Sequence, residues 1–123
     1  MTQIEQSKFY PFELIDNRES EWSDVRISFS NWDWLKEKYG NEIEGYYLNG
    51  YGIQGLVLAA RILKGLPAYS ATMEPMSEGD TCFILFGDYS EAIETVTIAS
   101  EMINDKSLIM QSITVARDNG FEE

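Results

Sequence analysis

Residues 46–67 read Tyr46-Tyr47-Leu48-Asn49-Gly50-Tyr51-Gly52-Ile53-Gln54-Gly55-Leu56-Val57-Leu58-Ala59-Ala60-Arg61-Ile62-Leu63-Lys64-Gly65-Leu66-Pro67. Asn49-Gly50 is a turn dipeptide, and Asn49 can also cap the helix that follows. From Gly52 to Lys64 most residues are good helix formers, and Gly65 with Pro67 supplies a stop. At 100° per residue Gln54 and Arg61 share a narrow polar stripe, while Leu56, Ala59, Ala60, Ile62 and Leu63 cover the opposite side. A helix apolar over most of its circumference is buried by neighbours on more than one side. The spacing therefore predicts a central helix, almost wholly buried except around Gln54 and Arg61. Gly52 and Gly55 each weaken such a helix by about 1 kcal/mol relative to alanine. Their presence implies that another backbone passes close by.

On either side the chain alternates strand and helix patterns. Lys8 to Ile15 places Tyr10, Phe12 and Leu14 on one face of an expected strand, with Pro11 confining it to an edge. Residues 16–24 form a polar loop. Val25, Ile27 and Phe29 then mark a second strand, antiparallel to the first. Ser30 or Asn31 caps a short helix ending near Gly40, with Trp32, Leu35 and Tyr39 facing the core. Trp34 lies roughly 200° away from Trp32 on that helix and is expected to be partly exposed.

Beyond the central helix, Ser70 to Met76 reads as a strand, and Ser77-Glu78-Gly79-Asp80 as a hairpin turn. Thr81 to Phe86 is apolar without alternation, which predicts a strand buried on both faces. Ser90 and Glu91 open a helix to about Asn104, with a core stripe of Ala92, Ile93, Val96, Ala99 and Ile103. Asp105 caps a last helix in which Leu108, Ile109, Ile113 and Ala116 face inward. Residues 121–123 read as a loose tail. The expectation is one α+β domain over residues 1–123, about four largely antiparallel strands packed against three or four helices.

Charge is the informative part of the composition. Twenty-one acids against nine bases give a net charge of −12, which disfavours nucleic acid phosphates and anionic lipid as partners. Between Lys64 and Lys106 there is no basic residue, whereas Glu74, Glu78, Asp80, Asp88, Glu91, Glu94, Glu101 and Asp105 all lie there. Such a tract is either a solvated surface or a footprint for a basic partner. No apolar run is long enough to span a bilayer, and the amino terminus lacks a signal-peptide pattern. Cys82 is the only cysteine, so no internal disulfide forms and a reducing cytoplasm is expected.

Histidine is absent, which removes the commonest general base and the Ser-His and Cys-His arrangements. Neither a zinc pattern, a phosphate loop nor a calcium loop is present, so no metal or cofactor is expected. Carboxylate pairs such as Glu42 with Glu44 could hydrolyse a glycoside, but pairs of this kind arise without chemistry in so acidic a chain. A binding role is the expected one.

Candidate contact residues come from two places. Tyr46, Tyr47 and Tyr51 bracket the Asn49-Gly50 turn; at least one must anchor the turn to the core, leaving Tyr47 and Tyr51 as candidates. On the helix from Ser90 to Asn104, Glu91, Glu94 and Glu101 lie within about 80° of one another, and Ile98 falls inside that arc. Either the last helix or the amino-terminal arm covers Ile98, or an apolar centre with an acidic rim is left there, which would suit docking on a basic surface. Trp34 is the remaining aromatic candidate.

The run Tyr47-Leu48-Asn49-Gly50-Tyr51-Gly52 with Gly55-Leu56-Val57 resembles the core motif of the immunity protein 51 family of bacterial polymorphic toxin systems. The segment from Glu78 through Ala92 also fits that family, and the resemblance covers roughly Glu44 to Ile103. Gly52 and Ile53 stand where the family pattern has an acid and a tryptophan. The resemblance implies a cytoplasmic protein that binds and blocks a secreted or contact-delivered toxin domain, without catalytic residues of its own. An acidic adaptor for some other basic protein is the alternative reading.

Overall fold

The computed structural model describes residues 9–17, 19, 21, 24–43, 46 and 49–121. The fold is α+β. Strands β1 (Glu13–Asn17), β2 (Asp24–Phe29), β3 (Met73–Pro75) and β4 (Cys82–Phe86) form one sheet in the order β1-β2-β4-β3, with every neighbouring pair antiparallel. The helices are α1 (Trp32–Tyr39), α2 (Gly50–Leu63), α3 (Tyr89–Asn104) and α4 (Lys106–Asp118), with a 3-10 turn over Gly40–Ile43.

Short polar side chains start all four helices. The amide of Trp34 donates to Asn31 Oδ1 (3.2 Å), Gly52 to Asn49 Oδ1 (2.7 Å), Ser90 to Asp88 Oδ1 (3.3 Å) and Leu108 to Asp105 Oδ1 (3.1 Å). Each side chain satisfies an amide that the helix itself leaves without a partner.

The sheet has an inner and an outer face. Leu14, Val25, Ile27, Phe29, Cys82, Ile84 and Phe86 are fully buried and point to one side. Helices α2 and α3 pack on that side, and α4 packs on both of them. The alternate residues of the strands face the other way, and Phe83 and Leu85 are only half-buried. The expectation that β4 is buried on both faces is thus corrected. A continuous apolar run does not distinguish a two-sided strand from one whose second face is apolar yet open.

The central helix holds its place with its interior inverted at one point. Ile53, Leu56, Val57 and Ala59 are fully buried, and the exposed side carries Tyr51 and Leu63. Arg61, expected at the surface, is only 3% exposed. Its Nε donates to the Pro67 carbonyl at 3.0 Å and its Nη1 to Thr95 Oγ1 at 2.6 Å. The guanidinium thereby ties the segment after α2 to α3, and a polar stripe meant for water serves a polar interior contact instead.

The glycines mark where foreign backbones approach. A β-carbon on Gly50 would lie 1.9 Å from the Glu78 carbonyl oxygen, and one on Gly55 would lie 2.2 Å from that of Phe121. Phe121 is therefore no loose tail: its amide donates to the Ala116 carbonyl at 2.8 Å and it packs on the core. The expectations for Glu122 and Glu123 lie outside the described residues.

At the amino-terminal side the strand is displaced along the sequence. Residues 9–12 form a turn, with the Phe12 amide donating to the Phe9 carbonyl at 2.8 Å, and β1 begins only at Glu13. Phe12 and Leu14 are buried as expected, whereas the turn leaves Tyr10 exposed. The third strand is likewise shorter than expected: the Met73 amide donates to the Ser70 carbonyl at 3.3 Å in a turn, and β3 begins only at Met73.

Candidate functional site

The acidic arc proposed on α3 does not survive as a docking surface with an apolar centre. Ile98 is 8% exposed and belongs to the core. Helix α3 is packed against β2, β4, α2 and α4, so its buried arc runs from Thr95 through Ile98 and Met102 as well as through Val96 and Ile103. Two small polar residues make that breadth tolerable. Thr95 accepts from Arg61, and the Ser100 hydroxyl donates to the Thr97 carbonyl at 3.0 Å. Ile93, expected in the core stripe, is only half-buried.

The three acids of the arc have separate fates. Glu94 is exposed. Glu101 is exposed and lies 3.8 Å from Lys64 Nζ. Glu91 accepts hydrogen bonds from the Thr72 and Ser70 hydroxyls, the latter at 2.9 Å, and so fastens the segment before β3 onto α3. Those bonds, with a smaller contribution from the Arg61 charge, hold its carboxyl below the ordinary value of 4.5.

A pH dependence follows from Glu91. A carboxyl whose folded pKa is depressed contributes stability that is fully present above the unfolded value and is lost as pH falls through the folded one. Wild type and Glu91→Gln are expected to differ in melting temperature at neutral pH and to converge as the pH falls below the ordinary carboxyl value and through the depressed one. A difference that stays constant from neutral to acid pH would show that the carboxylate does not hold this segment.

Aromatic and acidic side chains gather around the turn between β3 and β4. The Trp32 indole Nε1 donates to the Asp80 carbonyl at 2.9 Å, and the Gly50 amide donates to the Gly79 carbonyl at 3.1 Å. The start of α1, the hairpin turn and the start of α2 are thus joined. Trp32, expected in the core, is only half-buried because its indole nitrogen reaches for this carbonyl; its ring stands edge-on to Phe29 at 5.2 Å. Tyr51, in the first turn of α2, is 42% exposed, and Glu78 and Asp80 of the hairpin turn are exposed as well.

Tyr46 is the tyrosine that anchors the turn: it is buried and its hydroxyl donates to the Gly52 carbonyl at 2.7 Å. Tyr47 lies outside the described residues. Trp34 is half-buried as expected, edge-on to exposed Tyr10 at 6.0 Å, with Lys38 Nζ 5.8 Å from its ring centre. Aromatic faces with carboxylates nearby can accept lysine and arginine side chains, through the ring quadrupole and through charge.

The other local features offer little chemistry. A cleft of ≈ 80 Å³ is lined by Glu42, Ile43, Tyr46, Met110, Ile113 and Arg117. That is well below the roughly 300–1,000 Å³ of a small-molecule pocket. Arg117 stacks 5.8 Å above the Tyr46 ring, and Lys106 pairs with Glu42. Burial pushes the Cys82 thiol up to about 12, against a smaller opposing hydrogen bond from Ser77, so it stays protonated at neutral pH. No group of three or more acidic or cysteine side chains among the described residues is placed to hold a metal ion.

Sequence reasoning missed the outer face of the sheet, where Met76 is 52% exposed. The signal was available in the apolar run of residues 81–86, had one face of it been read as open. Comparison with family models, with curated proteins and with solved structures finds no match for this chain.

Proposed function

We propose that the protein is a non-catalytic inhibitor that captures a basic partner through its acidic surface, in the form the family resemblance implies: a cytoplasmic immunity protein neutralising a bacterial toxin domain. The observation that carries this reading is the acidic tract between Lys64 and Lys106. Seven of its eight carboxylates are exposed, namely Glu74, Glu78, Asp80, Asp88, Glu94, Glu101 and Asp105. Asp88 and Asp105 cap helices and are compensated by the helix dipole. Among the described residues of the tract, Glu101 alone forms an ion pair. The surface that results attracts a basic protein at a distance and gives it little to neutralise internally. Among the described residues no helix is long and apolar enough to cross a membrane.

The test uses the basic carboxy-terminal domain of a secreted protein encoded beside this gene. Cells expressing that domain should survive when this protein is co-expressed. The purified pair should associate more slowly as salt rises, as electrostatically steered pairs do. Equal killing with and without this protein removes the reading for that pair.

A further inference from the structure

The outer face of the sheet has the anatomy that the sequence suggested for α3. Its cross-strand rows are fixed by the register. Glu13 pairs with Ser28 and Ser28 with Phe83, and the Met76 amide donates to the Phe83 carbonyl at 2.8 Å. The next row runs from Ile15 through Arg26 and Leu85 to Glu74. Directly opposed residues on one face lie about 5 Å apart. Ile15, Leu85, Phe83 and Met76 therefore make one apolar surface interrupted by Arg26, with Glu13 and Glu74 exposed at its two edges.

The charge on this face is one-sided. Asp24 is also on it and lies 3.2 Å from Arg26 Nε, so the single guanidinium is already paired. Among the described residues three carboxylates stand there against one cation. A second copy of this chain fits poorly, because a two-fold contact would set the same net-negative rim against itself. A basic surface fits: its apolar part covers the centre, and its lysines and arginines meet the rim.

We propose that the outer face of the sheet is the surface that docks on the basic toxin domain, with Phe83 and Leu85 on its central strand β4, Met76 beside them at the β3 edge, and Glu13 and Glu74 at its two edges. The inference rests on the functional reading above and deepens it by moving the contact from α3 to the sheet. It accounts for the half-burial of Phe83 and Leu85 on β4, since apolar surface rimmed by polar residues marks interaction sites.

The experiment measures the affinity of the neighbouring basic domain for wild type and four variants. Glu13→Lys and Glu74→Lys lie on opposite edge strands, Met76→Lys lies beside Glu74 at the β3 edge, and Glu37→Lys on α1, outside the acidic tract, matches the change in charge of the two glutamate variants. All four positions are exposed, and melting curves should be those of wild type. The three sheet variants are each expected to weaken binding at least about tenfold, and Glu37→Lys by no more than about threefold. Binding by wild type with sheet variants unchanged overturns the docking face and leaves the function standing. Weakening by Glu74→Lys and Met76→Lys alone also overturns it, placing the contact at the hairpin turn. Absence of binding by wild type overturns the function and the docking face together.

Discussion

Gly50→Ala is expected to destabilise the protein by about 3 kcal/mol, the upper end of what an overpacked site ordinarily costs. The sign is the test. Alanine is the better helix former by about 1 kcal/mol, and Gly50 is the first residue of α2, so propensity alone forecasts a gain. Sterics forecast the reverse, because the added carbon would sit 1.9 Å from the Glu78 carbonyl oxygen and 2.4 Å from that of Thr81. Both neighbours are backbone, and neither can rotate away. The hairpin turn or the helix start must move, straining the bond between the Gly50 amide and the Gly79 carbonyl. Gly79→Ala is the control, since nothing lies within 4 Å of its added carbon. Equilibrium urea unfolding that placed Gly50→Ala at or above wild type would show that the turn and the helix do not meet this closely.

Leu56→Ala carries the other large effect. Leu56 is fully buried at the middle of α2, among residues that α3, α4 and β4 cover from different sides. Truncation loses the transfer energy of the side chain and leaves a cavity, together about 2–5 kcal/mol. That is a large part of the roughly 5–15 kcal/mol that holds a domain of this kind together. The urea midpoint should fall by about 1 M or more. An unchanged midpoint would mean that α2 is not the centre of the core.

Much of this architecture can be read from local pattern. Asn49 caps α2 as a short polar side chain before an apolar run should, and the antiparallel hairpin through residues 77–80 follows from its turn residues. The failures on the helices share one physical cause: helical periodicity reports polarity around an axis, not what lies beyond it. Arg61 is polar and inside, because Thr95 and the Pro67 carbonyl receive its donors. Ile98 looked outward because Glu94 and Glu101 flank it, yet α3 has neighbours on several sides and little outward arc remains. Trp32 sits higher than its wheel position suggests, since a carbonyl 48 positions away holds its indole nitrogen. Of the candidate contacts, Tyr51 and Trp34 were legible as exposed or half-exposed aromatics. Met76 was not, because its exposure depends on which sheet face the helices choose.

The approach of Phe121 to Gly55 bears on how the protein is made. A ribosome delivers the amino-terminal strands and α2 first, while the chain that closes over α2 is still unsynthesised. Strand β4, which pairs with β2 across more than fifty intervening residues, comes later, and the turn at Phe121 follows α3 and α4. Until then the nascent chain displays the apolar flanks of α2 and a sheet without its central partner. Closure of the core therefore follows translation through residue 121, and until then those apolar surfaces are open to association.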